Sequence, residues 1–499
     1  MEEKYIVALE IGSSKIKGAV GTVDSTGGLS VKDVEEERLL DGVRYGCIRN
    51  VVETANAVRS VISRLEQREP QRTVTGVYVS VGGRSLTSQA IEIERHLSSY
   101  TEITMDMITD IINDALGQTL HERSIVSVTP REFLIDNTPT DRPVGMMGSH
   151  ITARLNIISC RNQLIRNLNN VLDERLHLKI HDIYVRQLVE GDLVLSSEEK
   201  RLGCMLVDFG AETTTVSIYK NGVLEYLSTI PMGSRNITRD ITALNHLEER
   251  AEELKIAGGN ALPATEHVQL HNNYGTTDYT IVNNYVAARA GEIILNINEQ
   301  MKYAGYEANK LPAGIVMIGK GTKLNGFSQR LENITGMKTR VGAPHTRIRI
   351  NDGKIQSADA VDVISILAAA AKNKPKECMR RPEPEQPKEN GNTTVFHQQP
   401  AAFQQSQAQQ TPHQPVQQPV QQQQSAQQHI QQQPIQQQQT QQQPVQQTTS
   451  TTTTTPSITE PAPHHNGHKT RVSILERLKD RLANLMTEPI EEDEDNDDE

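Results

Sequence analysis

A strand–turn–strand unit that occurs twice limits the fold of this chain more than any other sequence feature. In each copy an acidic residue lies two positions before a glycine, Glu10 before Gly12 and Asp208 before Gly210, and a second strand follows. An internal duplication of this kind predicts two related lobes, each built around one copy. The units are strands 5–10 and 16–23 around a turn at 12–14, and strands 204–209 and 213–219 around a turn at 210–212.

The stretches around these units have the 3.6-residue periodicity of amphipathic helices. Strands that alternate with helices are typical of α/β proteins, in which helices cover the faces of a sheet. The chain has no Trp, so we expect Val, Ile, Leu and Ala to fill the core. The predicted helices are 52–69, 104–120, 237–256, 287–303 and 361–371.

Charge and cysteine spacing exclude several classes of protein. The formal net charge of −11 argues against nucleic acid as a partner, because phosphate binding needs a basic face. The four cysteines have no CxxC spacing, so we expect reduced thiols in a cytosolic protein, without a disulfide framework or a zinc site. The N-terminal residues do not resemble a signal peptide, and no run reaches the roughly 18 apolar residues of a membrane-spanning helix. We therefore expect a protein that does not cross a membrane.

The two duplicated turns are candidate phosphate-binding sites. Backbone N–H groups in a turn of small residues can bind phosphate oxygens, but ordinary hairpins have the same composition. If the turns face each other across a cleft, Glu10 and Asp208 are suited to hold Mg²⁺ through water. The candidate residues are Glu10, Gly12, Ser13, Ser14 and Lys15 in the first turn and Asp208, Gly210, Ala211, Thr213 and Thr214 in the second.

Two further segments are weaker candidates for a binding site. In residues 314–324 an apolar strand runs into a glycine-rich turn, which would let a base or sugar approach the backbone, although a packing turn has the same pattern. In residues 251–255 a Glu and a Lys have helical i, i+3 spacing, which is also typical of a surface ion pair. The candidate residues are Glu252, Lys255, Gly319, Lys320, Gly321 and Lys323.

These four elements occur in the order of the phosphate-1, phosphate-2 and adenosine motifs of the superfamily of actin, sugar kinases and heat-shock chaperones. Within that superfamily, residues 5–372 resemble the FtsA family of bacterial cell division proteins. The resemblance implies that residues 251–255 and 319–323 bind adenosine. It is carried by LEIGSSK (9–15), VGG (81–83), PVGM (143–146), ITRDI (237–241), AEELK (251–255) and GIVMIGKGTKLNGF (314–327).

The resemblance implies an α/β, actin-like two-lobed fold with duplicated mixed sheets and an FtsA-type inserted subdomain. The first lobe core would be 1–83 with 163–200, and the insertion 84–162. The second lobe core would be 201–234 with 312–373, and its small subdomain 235–311. A disordered linker (374–470), an amphipathic membrane-targeting helix (471–487) and an acidic tail (488–499) would follow.

The composition of the C-terminal part agrees with this division. Residues 375–468 are dominated by Gln, Pro and Thr and cannot bury enough apolar surface to offset the entropy of ordering, so we expect a tether with an r.m.s. span of about 50–60 Å. A self-associating Gln-rich segment is the alternative, against which the prolines weigh.

Residues 471–486 form an apolar arc of about 160° on a helical wheel. This helix could instead dock on the globular part or form a coiled coil, but its basic flanks fit a lipid surface. The nine acidic residues in 488–499 would be repelled by anionic lipid. The predicted membrane-binding residues are Val472, Ile474, Leu475, Leu478, Leu482, Leu485 and Met486.

The resemblance also implies a function. An FtsA-like protein would bind ATP and Mg²⁺, polymerise head to tail and tether FtsZ filaments to the cytoplasmic face of the cell membrane at the division septum, together with other division proteins. FtsZ would bind the subdomain 235–311. Departures from the family pattern at Ala211, Glu212, Thr215 and Lys320 predict at most a weak ATPase, and we assign no catalytic residue. One alternative is a sugar-kinase-type phosphotransferase, but the sequence has no signal for a catalytic base or a sugar pocket. The other is a chaperone ATPase, but the Gln-rich tail offers no substrate-binding β domain.

Overall fold

The duplicated unit appears twice as an antiparallel hairpin in the computed structural model of the chain, which describes residues 3–263, 269–272, 275–345, 348–350 and 357–381. The linker beyond residue 381, the membrane-targeting helix with its seven candidate residues and the acidic tail therefore lie outside the described residues. Among the residues that are described, no helix has the length and apolar character needed to span a membrane.

The chain begins in the first lobe. The Asn50 side chain caps the first helix, α1 (Val51–Arg68), by accepting hydrogen bonds from the backbone amides of Val52 and Glu53. The elements are β1 (Lys4–Ile11), β2 (Lys15–Val23), β3 (Leu29–Arg38), β4 (Val43–Arg44), β5 (Cys47–Ile48), α1 (Val51–Arg68), β6 (Thr73–Val74) and β7 (Gly76–Val81).

An inserted subdomain follows and has a hydrophobic core of its own. Its helix packs Ile108, Ile111 and Ile112 against Val128 and Phe133 of its sheet. The elements of the insertion are β8 (Thr87–Glu102), α2 (Met105–Gly117), β9 (Arg123–Ile135), β10 (Thr138–Thr140) and β11 (Met147–Arg161). The chain then returns to the first lobe through α3 (Asn162–Asn169), a π-helical turn (Asn170–Arg175), β12 (Lys179–Val185), α4 (Arg186–Val194) and α5 (Ser197–Leu202).

The second lobe contains β13 (Cys204–Phe209), β14 (Thr214–Lys220), β15 (Val223–Ile230), α6 (Ser234–Ile241), α7 (Glu248–Gly258), β16 (Gln269–Asn272), β17 (Gly275–Asp278), α8 (Tyr279–Tyr303), β18 (Ile315–Ile318), α9 (Phe327–Thr335) and β19 (Thr339–Val341). Short 3₁₀ turns lie at Thr242–Leu244, Ala308–Lys310, Lys320–Lys323 and Ser357–Asp359. The chain ends on the first lobe with β20 (Arg349–Ile350), α10 (Val361–Lys372) and β21 (Met379–Arg380).

The two lobes share one sheet topology. In the first lobe the order is β3-β2-β1-β7-β12, and in the second it is β15-β14-β13-β18-β19. In both sheets the first three strands are antiparallel and the last two run parallel to the central strand. This correspondence confirms the prediction of two related lobes with duplicated mixed sheets.

The sheet of the insertion continues the sheet of the second lobe, although the insertion leaves the chain from the first lobe. Strand β8 pairs with β15 at Thr87 and Ser228. Asn156 of β11, which is buried, also donates a hydrogen bond of 2.7 Å to the carbonyl of Leu224. The resulting sheet has the order β10-β9-β11-β8-β15-β14-β13-β18-β19.

Four predicted boundaries were wrong. The second lobe core predicted at 312–373 ends too late, because β20 pairs with β3 and α10 packs against β1 and β2 of the first lobe. The helix predicted at 237–256 is two helices, α6 and α7, because Asn245 adopts a left-handed conformation (φ 62°) between them. The helix predicted at 287–303 begins earlier, at Tyr279, where the Asp278 side chain caps its first turn. The linker predicted from residue 374 starts too early, since Cys378 and Met379 are buried and β21 pairs with β6. All four cysteines are free thiols.

Candidate functional site

A cleft of about 1010 Å³ lies between the lobes, and the two duplicated turns border it. In the first turn the amide of Gly12 donates to the carbonyl of Lys15 at 3.0 Å, and in the second the amide of Gly210 donates to the carbonyl of Thr213 at 2.9 Å. The same backbone hydrogen bond therefore closes both turns. The acids that precede them, Glu10 and Asp208, both line the cleft.

Arg186, the first residue of α4, joins these two acids. Its Nη1 donates to Glu10 Oε1 and its Nη2 to Asp208 Oδ2, both at 2.7 Å, and its Nε lies 3.7 Å from Glu190 Oε1. One guanidinium thus faces three buried carboxylates, one from the first lobe, one from the second and one from its own helix.

This cluster has strongly shifted pKa values. Burial raises the pKa of Glu10 to about 7, and the charge of Arg186 counteracts only part of that rise. Burial, followed by the charge of Asp208, raises the pKa of Glu190 well above its ordinary value. Burial lowers the pKa of Arg186, but the surrounding carboxylates outweigh this effect and raise it, so the guanidinium stays charged.

Glu212, in the second turn, points away from the cleft into a contact between the lobes. Its side chain is fully buried; Oε1 accepts from Arg239 Nη2 at 2.7 Å and Oε2 accepts from Arg44 Nε at 3.3 Å. The backbone amide of Tyr45 also donates to its Oε2 at 2.8 Å. A carboxylate beside a phosphate would be repulsive, and this orientation removes that conflict.

The lysines at the mouth of the cleft are paired with acids of the first lobe. Lys15 and Lys320 both contact Glu36, the latter at 3.0 Å, and Lys323 contacts Asp359 at 2.7 Å. Burial raises the pKa of Glu36, but the hydrogen bonds and charges of the two lysines outweigh this effect and lower it to about 2. These lysines are therefore tied down by carboxylates that an anionic ligand could replace.

The glycine-rich turn after β18 lies directly against the second hairpin. Gly319 has φ 88°, and a Cβ there would lie 2.6 Å from the carbonyl oxygen of Phe209 and 3.0 Å from Asp208 Oδ1. A side chain at this position would force the turn away from the floor of the cleft. Glycine is therefore required here for its conformation and for its small size.

The predicted Glu252–Lys255 pair is formed on α7, at a distance of 2.7 Å. Lys255 also donates to the hydroxyl of Thr238 at 2.9 Å and to the carbonyl of Ser234 at 3.1 Å, so it fastens α7 to α6. Burial lowers the pKa of Lys255, and Glu252 opposes that shift. Both residues line the cleft, so this pair combines a structural role with exposure to a ligand.

The structure brings together all the candidate residues of the turns and of the two weaker segments, with one exception. Thr214 does not line the cleft, because it is buried and its hydroxyl donates to the carbonyl of Met232 at 2.8 Å. Sequence reasoning missed Arg186. The position of Arg186 in the sequence could have indicated its role. Arg186 comes directly after β12, a parallel strand whose carboxyl end points toward the cleft, and ligands bind at such strand ends.

The carboxylates suit a magnesium ion only through water. One oxygen of Glu10 and one of Asp208 already accept from Arg186, so the space between them holds a guanidinium. The residues that line the cleft include ten acidic and eight basic side chains, so the cleft lacks the positive excess that a triphosphate needs. A polyphosphate would therefore need its own cation, which these carboxylates could meet through water.

Comparison with known proteins agrees with the resemblance. The family model for cell division protein FtsA matches residues 205–365, and the model for the SHS2 domain inserted in FTSA matches residues 83–159. Cell division protein FtsA of Porphyromonas gingivalis is 30% identical over 340 residues, which are 66% of this chain and 71% of that protein. The protein of the same name from Neisseria meningitidis is 27% identical over 385 residues, which are 74% and 91% of the two chains.

A solved structure has a related fold. A chain of the PilM-PilN type IV pilus biogenesis complex superposes with a TM-score of 0.53 at 13% identity, covering 73% of this chain and 98% of that one. A likeness at this identity shows the fold alone. The SHS2 match confirms that the insertion predicted at 84–162 is of the type inserted in this family.

Proposed function

Because this chain belongs to the FtsA family of cell division proteins and has its two-lobed, actin-like fold, we propose that it binds ATP between its lobes, polymerises and tethers FtsZ filaments to the membrane. In this proposal the protein acts at the cytoplasmic face of the cell membrane at the division septum. It works mainly as a nucleotide-regulated scaffold.

One observation carries the nucleotide proposal. Two hairpins with the same hydrogen bond, one from each duplicated lobe, border a single cleft, and Arg186 joins their acids. ATP would place its phosphates between the hairpins and its adenosine near Gly319 and Lys255. Mg²⁺ that accompanies the nucleotide would meet Glu10 and Asp208 through water, where its charge would offset that of the triphosphate.

The test is nucleotide binding by the full chain with a matched pair of glycine variants. A Cβ at Gly12 would lie 2.9 Å from the carbonyl oxygen of Lys15, whereas a Cβ at Gly117 would meet nothing within 4 Å. Gly12→Ala should therefore weaken binding of a fluorescent ATP analogue at least tenfold, and Gly117→Ala should not change it. Equal affinities in all three proteins would contradict the site, and steady phosphate transfer to a sugar acceptor would contradict the scaffold.

We expect hydrolysis to be slow. Gln187 is fully buried, and its amide nitrogen lies 3.5 Å from Asp208 Oδ2 and 3.4 Å from the hydroxyl of Thr215, so it is not free to orient a water molecule. Glu190 lines the cleft, but its Oε1 lies 3.7 Å from Arg186 Nε, so this carboxylate is held in an ion pair and is not free to act as a base. Nucleotide would then act through lobe closure more than through turnover.

Membrane attachment rests on the sequence of the C-terminal helix. One amphipathic helix binds lipid weakly, but a polymer presents many helices, and avidity makes the attachment firm. Leu478→Glu with Leu482→Glu should abolish flotation of the full chain with anionic liposomes. Ser473→Glu with Asn484→Glu adds the same charge to the polar face and should preserve flotation. Loss of flotation in both double variants would show that charge alone decides binding, and it would contradict an apolar contact between the helix and the lipid.

A surface that suits a protein partner lies on α8 of the second lobe. Ile281, Leu295 and Tyr303 are exposed to 49%, 54% and 78%, and helical geometry places them within an arc of about 80°, which they share with the exposed carboxylates of Glu292 and Glu299. Exposed apolar side chains that share one helix face are typical of interaction sites. This stripe supports the proposal that FtsZ binds residues 235–311.

A further inference from the structure

Two histidines and a glutamate meet on the inserted subdomain, away from the cleft. Glu94 and His96 lie two residues apart on β8, so their side chains share one face of the sheet. The strand register places His150 of β11 directly opposite His96. The imidazole rings are stacked, with centroids 4.3 Å apart and planes inclined by 12°.

The geometry of this cluster fits an ion better than it fits a hydrogen bond. His150 Nε2 lies 3.9 Å from Glu94 Oε2, and potential ligand atoms of all three residues lie within 4.8 Å of one another. His150 Nε2 is inaccessible to solvent and has no hydrogen-bond partner. Ligands of a tetrahedral zinc ion lie roughly 3.3 Å apart. An imidazole binds a metal ion in its own ring plane, so the two stacked rings would have to rotate out of their parallel arrangement to share one ion.

Among the acids around the cluster, Glu94 is the one that is not paired with an arginine in the described residues and could bind a metal ion. Arg154, on the same face, binds Glu92 at 2.8 Å and Glu132 at 2.7 Å. In the part of the chain that the structure describes, Glu94 has no Lys or Arg within ion-pair distance, and it faces His150. Glu94 faces the imidazole of His150, whereas Glu92 and Glu132 share the single charge of Arg154. A cation bound at Glu94 would offset the negative charge that remains.

We propose that Glu94, His96 and His150 bind a divalent transition-metal ion, with Zn²⁺ as the first choice, and that the ion links β8 to β11. Two imidazoles and one carboxylate favour zinc and its neighbours in the first transition series over Mg²⁺ or Ca²⁺, which prefer oxygen ligands. The exposed side of the cluster leaves the fourth position to water. This site is independent of the proposed nucleotide site, because it lies on another subdomain.

The test is metal binding by the chelator-treated full chain. Co²⁺ is titrated first, since its absorption spectrum reports tetrahedral coordination, and Zn²⁺ is then added in competition. We expect one bound equivalent in the wild-type protein and an affinity at least 30-fold lower in His96→Ala and in Glu94→Gln. Absence of a tetrahedral spectrum in the wild-type protein, or an unchanged affinity in both variants, would overturn the proposal.

Histidines near the C-terminus require a specific control. His464, His465 and His468 lie close together in the sequence and could bind the same ions. A variant with all three changed to Ala should keep the tetrahedral Co²⁺ spectrum, and loss of that spectrum in this variant alone would overturn the proposal. Thermal unfolding provides a second measure: Zn²⁺ should raise the Tm of the wild-type protein and leave that of His96→Ala unchanged, while both proteins unfold alike in EDTA.

Discussion

The buried carboxylate of Glu212 is the contact whose removal should most clearly separate the lobes. It belongs to the turn of the second lobe, and it binds Arg44 and the amide of Tyr45 in the first lobe. Glu212→Gln keeps the size of the side chain but removes its charge, and it turns an amide NH₂ group toward guanidinium N–H donors. We therefore expect the lobes to stay folded while the contact between them weakens.

The free-energy cost of Glu212→Gln depends on how deeply Glu212 and its arginine partners are buried. Removing one partner of a buried ion pair costs about 3–5 kcal/mol. The side chains of Arg44 and Arg239 remain 25% and 27% exposed, so water would compensate them in part and the cost should lie near the lower limit. A loss of about 3 kcal/mol corresponds to a factor of roughly 150 in the equilibrium between open and closed lobes.

Hydrogen exchange can measure this opening, because the amide of Tyr45 donates directly to Glu212. Exchange in a peptide that covers residues 43–48 should accelerate roughly 100-fold in Glu212→Gln, while exchange in the core strands β1 and β13 should stay unchanged. Glu225→Gln is the matched control, since Glu225 is also paired with an arginine, Arg131, but at the insertion. Equal exchange of residues 43–48 in wild-type and Glu212→Gln protein would refute the reasoning.

Three further predictions concern the cleft and the surface of α8. The pKa of Glu10 is about 7 in the folded protein, against 4.5 for the ordinary group, so the folded state binds more protons than the unfolded state between these pH values. The free energy of unfolding should therefore fall by about 3 kcal/mol as the pH rises from 4.5 to 7. Urea unfolding of Glu10→Gln should lack this part of the pH dependence, and an unchanged profile would contradict the shift. Arg186→Gln removes the cation between Glu10 and Asp208, so the affinity for ATP should depend on Mg²⁺ at least ten times more strongly than in the wild-type protein. ATP titration with and without EDTA measures this dependence. An equal dependence in both proteins would argue against a bridge by Arg186 between the two acids. Leu295→Glu should weaken co-sedimentation with FtsZ at least fivefold. Leu202→Glu, which changes an exposed leucine outside the small subdomain of the second lobe, should have no effect. An equal loss of co-sedimentation in both variants would show that FtsZ does not bind this face of α8.

The hairpins and the lobes could be predicted because their signals are local. The alternation of apolar residues, the acid and the glycine all lie within about 20 residues of one another, and the same pattern recurs. Most errors at helix ends came from polar residues that the fold uses in a special way. Asn245 breaks a helix by adopting a left-handed conformation, and Asn283 of α8 is buried because it accepts a hydrogen bond from the amide of Asn260.

Contacts between distant residues could not be predicted in the same way. Arg186 reaches Glu10, which is 176 positions away in the sequence, and no periodicity links the two. The short strand at Met379 pairs with Val74, so a segment that reads as charged linker is held by a partner that the sequence does not indicate. The cluster of Glu94, His96 and His150 likewise depends on the register of β8 against β11.

The contacts between the lobes differ in strength according to their burial, and this difference orders the steps of opening. Lys320 and Glu36 are 42% and 41% exposed, so their ion pair contributes at most about 1 kcal/mol, and the phosphates of a nucleotide can replace Glu36 at little cost. Arg186 and Glu212 lie in buried clusters whose disruption costs several times more. Entry of a nucleotide should therefore loosen the mouth of the cleft first, while the clusters around Arg186 and Glu212 keep the two lobes joined. Substitution of Lys320 should then change the rate of nucleotide entry, and substitution of Glu212 should change how far the lobes close around it.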